Sequence, residues 1–94
     1  MYNGSMDFQW DEAKNQANIA KHGVSFEEAK LAFDDLKFKV ALDTKHSTAA
    51  EKRYFVYGDT GRGVLTVRFT IRNGNIRIIG AGYWRIGRKE YEQG

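Results

Sequence analysis

Arginine is concentrated in the second half of the sequence, around an Asn73-Gly74 pair. Residues 1–52 carry seven basic and nine acidic side chains, whereas residues 53–94 carry eight basic and three acidic ones. Guanidinium groups bind phosphate oxygens through paired, charge-assisted hydrogen bonds. The second half of the chain is therefore where contact with a polyanion is expected, although many domains without such a partner are equally basic.

The Asn73-Gly74 pair is the strongest short-range signal of a two-residue β-hairpin turn. Counting outward from this turn places Arg72 opposite Asn75 and continues residue by residue, with side chains alternating between the two faces. One face of the hairpin is then apolar. The polar face carries Thr66, Arg68, Thr70, Arg72, Arg77 and Tyr83.

No Asp or Glu occurs between residues 64 and 88, so the polar face is predicted to be a cationic platform without compensating carboxylates. Like charges on neighbouring strands repel one another, which favours an anionic ligand. The alternative interpretation is an ordinary solvated sheet face.

Helices are predicted ahead of this hairpin. Asp11 occupies an N-cap position, the alanines at 13, 17 and 20 form a small apolar face, and Gly23 is a natural left-handed terminator, with His22 expected to donate to the last carbonyls. Ser25 and Glu28 form the capping box of a second helix. Its predicted staple and buried stripe consist of Val24, Phe26, Ala29 and Phe33.

From Phe38 the apolar period changes from about 3.6 to 2, which indicates strands. The first strand is expected to face the core with Phe38, Val40 and Leu42. Further strands are predicted over 53–58, 64–72 and 75–84, and a short helix over 85–92. The fold class predicted is α+β, with two N-terminal helices packed on a four-stranded antiparallel sheet.

Several classes of protein are excluded by composition. The chain has no cysteine, so it has neither disulfides nor a thiolate zinc site, and no cluster of Asp, Glu and His suggests another metal or cofactor. No segment resembles a signal peptide or a membrane span, which favours the cytoplasm. Residues 1–5 are set aside as an appended or disordered N-terminus, and residues 6–94 are taken as one domain.

A set of short motifs, in order and spacing, resembles the BrnT family of ribonuclease toxins. These motifs are Phe8, Trp10-Asp11, Lys14, Asn18, Lys21-His22-Gly23-Val24, Phe26, Ala29, Phe33-Asp34, His46-Ser47, Glu51, Arg53, Gly58, Phe69-Thr70, Arg77-Ile78-Ile79 and Tyr91-Glu92.

The resemblance implies a RelE-like fold with a curled sheet, and a type II toxin that inhibits translation by cleaving mRNA. It also implies a BrnA-like antitoxin partner that forms a heterotetramer with the toxin and represses their operon. One departure stands out: many members carry Ser-Ala-Arg after the last strand, whereas this chain has Gly80-Ala81-Gly82. The arginine expected at Gly82 is absent, which questions a direct transfer of catalytic roles.

RNA cleavage without a metal needs a base for the 2′-hydroxyl, cations for the transition state and an acid for the leaving oxygen. Arg68 and Arg77 are predicted to stabilise charge, and Arg85 to lie near the leaving group. Either Tyr83 or His46 is predicted to transfer protons. The RNA-binding candidates are Arg53, Arg72, Trp84, Arg88, Lys89, Lys14 and Lys21.

Each of these assignments has an alternative. His46 can be a merely exposed or capping residue, Tyr83 and Trp84 can close the core, and the lysines of the first helix can be simply solvated. At the level of the whole protein, the alternatives to an endoribonuclease are a non-catalytic RNA- or antitoxin-binding domain and an ordinary interaction domain.

Overall fold

The computed structural model describes residues 7–93. The predicted appended segment, residues 1–5, lies outside the described residues. The strands are β1 (Phe8–Gln9), β2 (Lys39–Leu42), β3 (Arg53–Asp59), β4 (Val64–Arg72) and β5 (Asn75–Gly82). The helices are α1 (Glu12–His22), α2 (Phe26–Ala29) and α3 (Arg85–Glu92), with a 3-10 helix over Lys30–Asp34 directly after α2.

The strands form one mixed sheet in the order β1-β5-β4-β3-β2. The α+β class is confirmed, but the prediction of four antiparallel strands is wrong, because β1 adds a fifth strand parallel to β5. Phe8 pairs with Ile76 and Gln9 with Arg77, and the carbonyl of Asp7 accepts the amide of Ile76 at 2.9 Å. A strand of two residues is too short for an alternation of apolar and polar side chains to identify it in the sequence.

The hairpin turn has the predicted conformation, with positive φ at Asn73 (54°) and Gly74 (78°). The predicted register holds from the turn to the pair Phe69 and Ile78. There a β-bulge intervenes, and Arg68 pairs with Gly80. The extra residue reverses which face the rest of β5 presents.

Tyr83 is consequently not on the face predicted for it. Its ring packs against the hydrophobic core, and its hydroxyl donates to Glu28 at 2.6 Å. The prediction that Tyr83 joins the arginine side chains is therefore wrong, because it assumed an unbroken register.

The core lies between one face of the sheet and α2 with the 3-10 helix. Full burial of a Leu or Ile side chain contributes about 1.5–3 kcal/mol. A Cβ at Gly58 would lie 2.1 Å from the carbonyl oxygen of Ala32, so the 3-10 helix approaches β3 this closely only because residue 58 is glycine. The buried side chains include Phe26, Phe33, Val56, Leu65, Val67, Phe69, Ile76 and Ile78.

Helix α1 begins and ends as predicted. Asp11 accepts hydrogen bonds from the amides of Ala13 and Lys14, and Gly23 adopts a left-handed conformation. Its buried face was predicted wrongly, however: Asn15 and Asn18 are buried, and the alanines at 13, 17 and 20 are exposed. The reason is that both asparagine side chains hydrogen-bond backbone groups that would otherwise be buried without partners.

Helix α2 has the predicted cap at Ser25, whose Oγ accepts the Glu28 amide at 3.0 Å. The carboxylate of Glu28 does not return to Ser25. It instead binds Tyr83 and Arg62. Only half of the predicted capping box is therefore formed. Glu28 instead links α2 to Arg62, in the turn before β4, and to Tyr83, directly after β5.

Strand β2 is an edge strand. Val40 and Leu42 lie on the core side of the sheet as predicted, opposite Val56 and Tyr54, but they are 51% and 48% exposed, because the described part of the chain places no helix over this edge. Lys39, on the other face, donates to main-chain carbonyls of Glu90 and Gln93 near the end of α3.

Helix α3 packs on the polar face of the sheet, where a Cβ at Gly87 would meet Thr66 Oγ1 at 1.8 Å. The Tyr91 hydroxyl donates to Asp35, and this bond raises the pKa of Tyr91 to about 12. Across residues 7–93, none of the helices has the length and apolar character needed to span a membrane.

Candidate active site

Four arginines project from the polar face of the sheet: Arg68, Arg72 and Arg77, as predicted, and in addition Arg53. Arg53, Thr70 and Arg77 lie side by side across β3, β4 and β5, and Arg68 lies one step further along β4 on the same face. Arg72 is two residues from Thr70 and shares that face. We call Arg53, Arg68, Arg72 and Arg77 the arginine face.

The arginine face is not free of carboxylates, so that prediction is wrong. Glu51 pairs with Arg72 at 2.8 Å and with Arg53 at 3.3 Å. The hydrogen bond from Arg72 is the main cause that lowers the pKa of Glu51. Arg68 lies 3.7 Å from Asp43. Both carboxylates belong to the connection from β2 to β3, outside the segment that lacks acidic residues.

Positive charge remains after this compensation, because four guanidinium groups meet two carboxylates. Within residues 7–93, no carboxylate oxygen lies within 4.0 Å of the Arg77 guanidinium. The exposed pair of Arg72 and Glu51 contributes little to stability, about 0–1 kcal/mol. The arginine face therefore keeps the capacity to attract an anion.

The carboxylate of Asp43 joins two of the predicted site residues. Its Oδ2 lies 2.9 Å from Nδ1 of His46 and 3.7 Å from Nη2 of Arg68. Asp43 is 4% exposed, whereas the His46 side chain is 47% exposed. The buried carboxylate thus holds an imidazole at the surface beside a guanidinium.

The protonation of this cluster follows from its geometry. Burial alone raises the pKa of Asp43, but hydrogen bonds from the His46 ring and amide and the charges of His46 and Arg68 together lower it. An ionised carboxylate can only accept hydrogen bonds, so Nδ1 of His46 must carry the proton that it shares with Asp43. The second ring nitrogen, Nε2, has no hydrogen-bond partner within residues 7–93 and can act on another molecule.

The loop that carries His46 is held at both ends by Ser47. Its hydroxyl donates to the carbonyl of Asp43 at 2.7 Å and accepts the amide of Arg53 at 2.8 Å. The amide of His46 also binds Asp43 Oδ1 at 3.2 Å. These hydrogen bonds attach the loop, and with it the imidazole, to the end of β2 and the start of β3.

On its other side, Arg68 borders a groove of about 240 Å³ between α1 and β5. Lys14 and Lys21, both predicted to bind RNA, line this groove with Arg68. Three positive side chains from two separate elements therefore converge on one cavity. We call this cavity the Arg68 groove; its wall also includes Asn18, His22 and Trp84.

Trp84 covers Gly82, the position at which an arginine was expected. A Cβ at Gly82 would lie 2.4 Å from Cε2 of Trp84, so the indole covers this glycine directly. The His22 ring meets the indole edge to face, with centroids 5.2 Å apart. His22 was expected to donate to carbonyls at the end of α1, but among the described residues it makes no such bond.

A second cavity of about 320 Å³ lies on the other side of Trp84. Arg85 and Arg88 line it, together with Tyr83 and Arg62. The candidates Arg85 and Tyr83 therefore share a cavity with each other and not with Arg68. We call this cavity the Arg62 pocket. Lys89, on the same helix, is exposed and lines neither cavity.

Sequence reasoning did not identify Asp43 or Arg62 as site residues. The sequence does contain a local signal for Asp43, because an Asp and a His three residues apart at the end of a strand can form a hydrogen-bonded pair. Arg62 lies in a glycine-rich turn, Thr60 to Gly63, that gives no such signal. Its guanidinium is brought to the site by Glu28 at 2.7 Å and by the Tyr83 ring at 5.1 Å.

The combination of a cationic groove and an oriented imidazole suits RNA cleavage, and comparison with known families identifies the class. A model of the ribonuclease toxins of type II toxin–antitoxin systems matches residues 10–87. The chain belongs to the BrnT family of these toxins. Membership implies an RNA substrate and an antitoxin protein as partner. A search of curated proteins finds no match to the chain.

Proposed function

We propose that the protein is a metal-independent endoribonuclease that cleaves mRNA. The proposed active site lies between the side chains of His46 and Arg68. The observation that carries this proposal is the single oxygen of Asp43 placed between His46 Nδ1 (2.9 Å) and Arg68 Nη2 (3.7 Å). That arrangement gives a proton acceptor and a fixed positive charge side by side, which are two of the three groups that metal-free RNA cleavage requires.

In the proposed reaction, Nε2 of His46 accepts the proton of a ribose 2′-hydroxyl. The 2′-oxygen forms a bond to the adjacent phosphorus, the bond from phosphorus to the 5′-oxygen breaks, and the departing oxygen takes a proton from water. The products are a 2′,3′-cyclic phosphate and a 5′-hydroxyl. Asp43 is a positioning residue, since it holds the imidazole and touches no substrate atom.

The arginine face and the Arg68 groove supply the charge that this reaction needs. Arg68 and Arg77 stabilise the negative charge that grows on the phosphate oxygens, while Lys14 and Lys21 bind neighbouring phosphates in the groove. Arg53 and Arg72 share their charge with Glu51. We therefore assign them a smaller contribution to RNA binding.

The biological role that fits this activity is inhibition of translation in the cytoplasm, reversed by a BrnA-like antitoxin. Family membership supports the pairing with an antitoxin. A partner that covers the half-exposed imidazole of His46 and the Arg68 groove would block both the proton acceptor and the phosphate contacts. A heterotetramer of two toxins and two antitoxins is the assembly we propose.

The test is cleavage of a single-stranded RNA by the purified protein in the presence of EDTA. We expect His46→Ala and Arg68→Ala each to lower kcat by about 10²-fold or more. Asp43→Asn should lower kcat with little change in KM, and added imidazole should restore part of the activity of His46→Ala. A 2′-deoxyribose at the cleaved position should stop the reaction.

The matched control is Lys37→Ala, which removes a positive charge from an exposed position outside both cavities. Its kcat should equal that of the original chain. Cleavage that needs a divalent metal, or that survives both His46→Ala and Arg68→Ala, contradicts the proposal. RNA binding without any cleavage products would instead identify a non-catalytic domain, for which the absent arginine at Gly82 is the supporting observation.

A further inference from the structure

The Arg62 pocket and the Arg68 groove are separated by one side chain. Trp84 lines both cavities, and it is the residue that their walls share. The indole is half-buried, lies over Gly82 and contacts the His22 ring edge to face. A strand of RNA whose phosphate lies in the groove can therefore continue across the indole into the pocket.

The Arg62 pocket has a net positive charge. Arg62 is paired with Glu28 at 2.7 Å, whereas Arg88 has only a 4.0 Å contact with Glu92, in which both side chains are more than 60% exposed. Such an exposed contact is weak. Across the described chain, no carboxylate oxygen lies within 4.0 Å of the Arg85 guanidinium. Two of the three guanidiniums are thus available to an anion.

The pocket also has an aromatic wall and a suitable size. Tyr83 and Trp84 both line it, and the Arg62 guanidinium lies 5.1 Å from the centre of the Tyr83 ring. Unpaired bases stack on aromatic rings and on guanidinium planes. The volume of about 320 Å³ is at the lower end of the range for small-molecule sites, which suits one nucleotide.

We propose that the Arg62 pocket binds a second nucleotide of the RNA substrate, on the opposite side of Trp84 from the cleaved phosphate. The proposal rests on the proposed ribonuclease function and specifies its substrate: a single strand long enough to occupy both cavities. Arg85 and Arg88 bind a phosphate of this nucleotide, and the rings of Tyr83 and Trp84 face its base. Arg85 accordingly has a binding role and lies away from the leaving group.

The experiment measures the affinity of uncleavable 2′-O-methyl RNA, a dinucleotide and an octanucleotide, for Arg85→Ala and Arg88→Ala. We expect each substitution to raise the Kd of the octanucleotide about three- to tenfold and to leave the Kd of the dinucleotide unchanged. The slope of log affinity against log salt should fall by about 0.7 for each phosphate that the variant no longer binds. Lys37→Ala is the control, and its Kd should be unchanged for both.

Failure of this proposal is distinguishable from failure of the ribonuclease function, because binding is measured without cleavage. An unchanged octanucleotide Kd in both variants overturns the second nucleotide site, whether or not the protein cleaves RNA. Equal loss of affinity for the dinucleotide and the octanucleotide also overturns it. Unchanged RNA binding with weaker binding of the antitoxin would assign the pocket to the protein partner instead.

Discussion

The side chain of Asn18 takes the place of a neighbouring strand beside Ala81. Its Oδ1 accepts the Ala81 amide at 3.2 Å, and its Nδ2 donates to the Ala81 carbonyl at 2.9 Å. The same Nδ2 donates to the carbonyl of Val24 at 2.8 Å. Strand β1 covers only the beginning of the edge of β5, and Asn18 satisfies the backbone of the part beyond it.

Asn18→Ala should therefore lower the free energy of unfolding by about 2–4 kcal/mol, since it leaves several buried backbone groups without partners. Asn18→Asp should be at least as destabilising near neutral pH, because an ionised carboxylate cannot donate to the two carbonyls. Urea denaturation measures both. Gln16→Ala, at an exposed position of the same helix, is the control and should change stability by about 0.5 kcal/mol at most.

Two glycines of β5 on the same face should respond differently to alanine. At Gly82 a Cβ would lie 2.4 Å from the Trp84 ring, whereas at Gly80 the nearest atoms are at 3.9 Å and 4.0 Å. Gly82→Ala should displace the indole, change the near-ultraviolet circular dichroism and cost about 1–3 kcal/mol. Gly80→Ala should be neutral or slightly stabilising. An unchanged indole signal in Gly82→Ala would show that this contact is not restrictive.

Two buried threonines of β4 form a second matched pair. Thr70 Oγ1 donates to the carbonyl of Lys52 at 2.6 Å, whereas Thr66 Oγ1, beneath Gly87, has no hydrogen-bond partner among residues 7–93. Thr70→Val should cost about 1–3 kcal/mol, and Thr66→Val should be neutral or stabilising. Thermal unfolding of the two variants checks this difference. Equal losses of stability would mean that the Thr66 hydroxyl has a partner in solution.

Acid should weaken the fold partly through Asp43. A carboxyl with a lowered pKa in the folded state stabilises the protein above its unfolded value of about 3.9, and this contribution is lost as pH falls through the folded pKa. Asp43→Asn should thus lose about 1–3 kcal/mol at pH 7 and show a smaller decrease in stability from pH 5 to pH 3.

The measurement is urea denaturation at several pH values between 3 and 7. Asp34→Asn is the control, because Asp34 is exposed and should leave both the stability at pH 7 and the acid slope almost unchanged. A slope for Asp43→Asn identical to that of the original chain would mean that Asp43 does not contribute to acid unfolding. Glu12, Asp35 and Glu51, whose pKa values are also lowered, contribute to the slope that remains.

The features that could be predicted from the sequence are those set by local geometry. The turn at Asn73, the caps at Asp11 and Ser25, and the shared face of Arg68 and Arg77 each depend on residues close in the chain. The β-bulge next to Arg68 was not predicted, because it is a property of the pairing and its local signal, a glycine at position 80 inside the strand, is weak. It is the reason that the position of Tyr83 was wrong.

The carboxylates that pair with the arginine face come from residues that are distant from it in sequence. Asp43 is 25 positions before Arg68, and Glu51 is 21 positions before Arg72. A count of acidic residues within the hairpin could not reveal either pair. For α1, hydrophobic periodicity selected the alanines as the buried face, whereas burial follows the hydrogen-bonding needs of the neighbouring backbone, which Asn15 and Asn18 meet.

The seating of the indole on Gly82 has an evolutionary consequence. A long cationic side chain at position 82 and a tryptophan at position 84 would compete for the same volume, so related chains should carry one or the other and rarely both. Gain of an arginine at 82 would then have to be accompanied by a smaller residue at 84. An arginine introduced at position 82 without a smaller residue at position 84 should therefore be harmful.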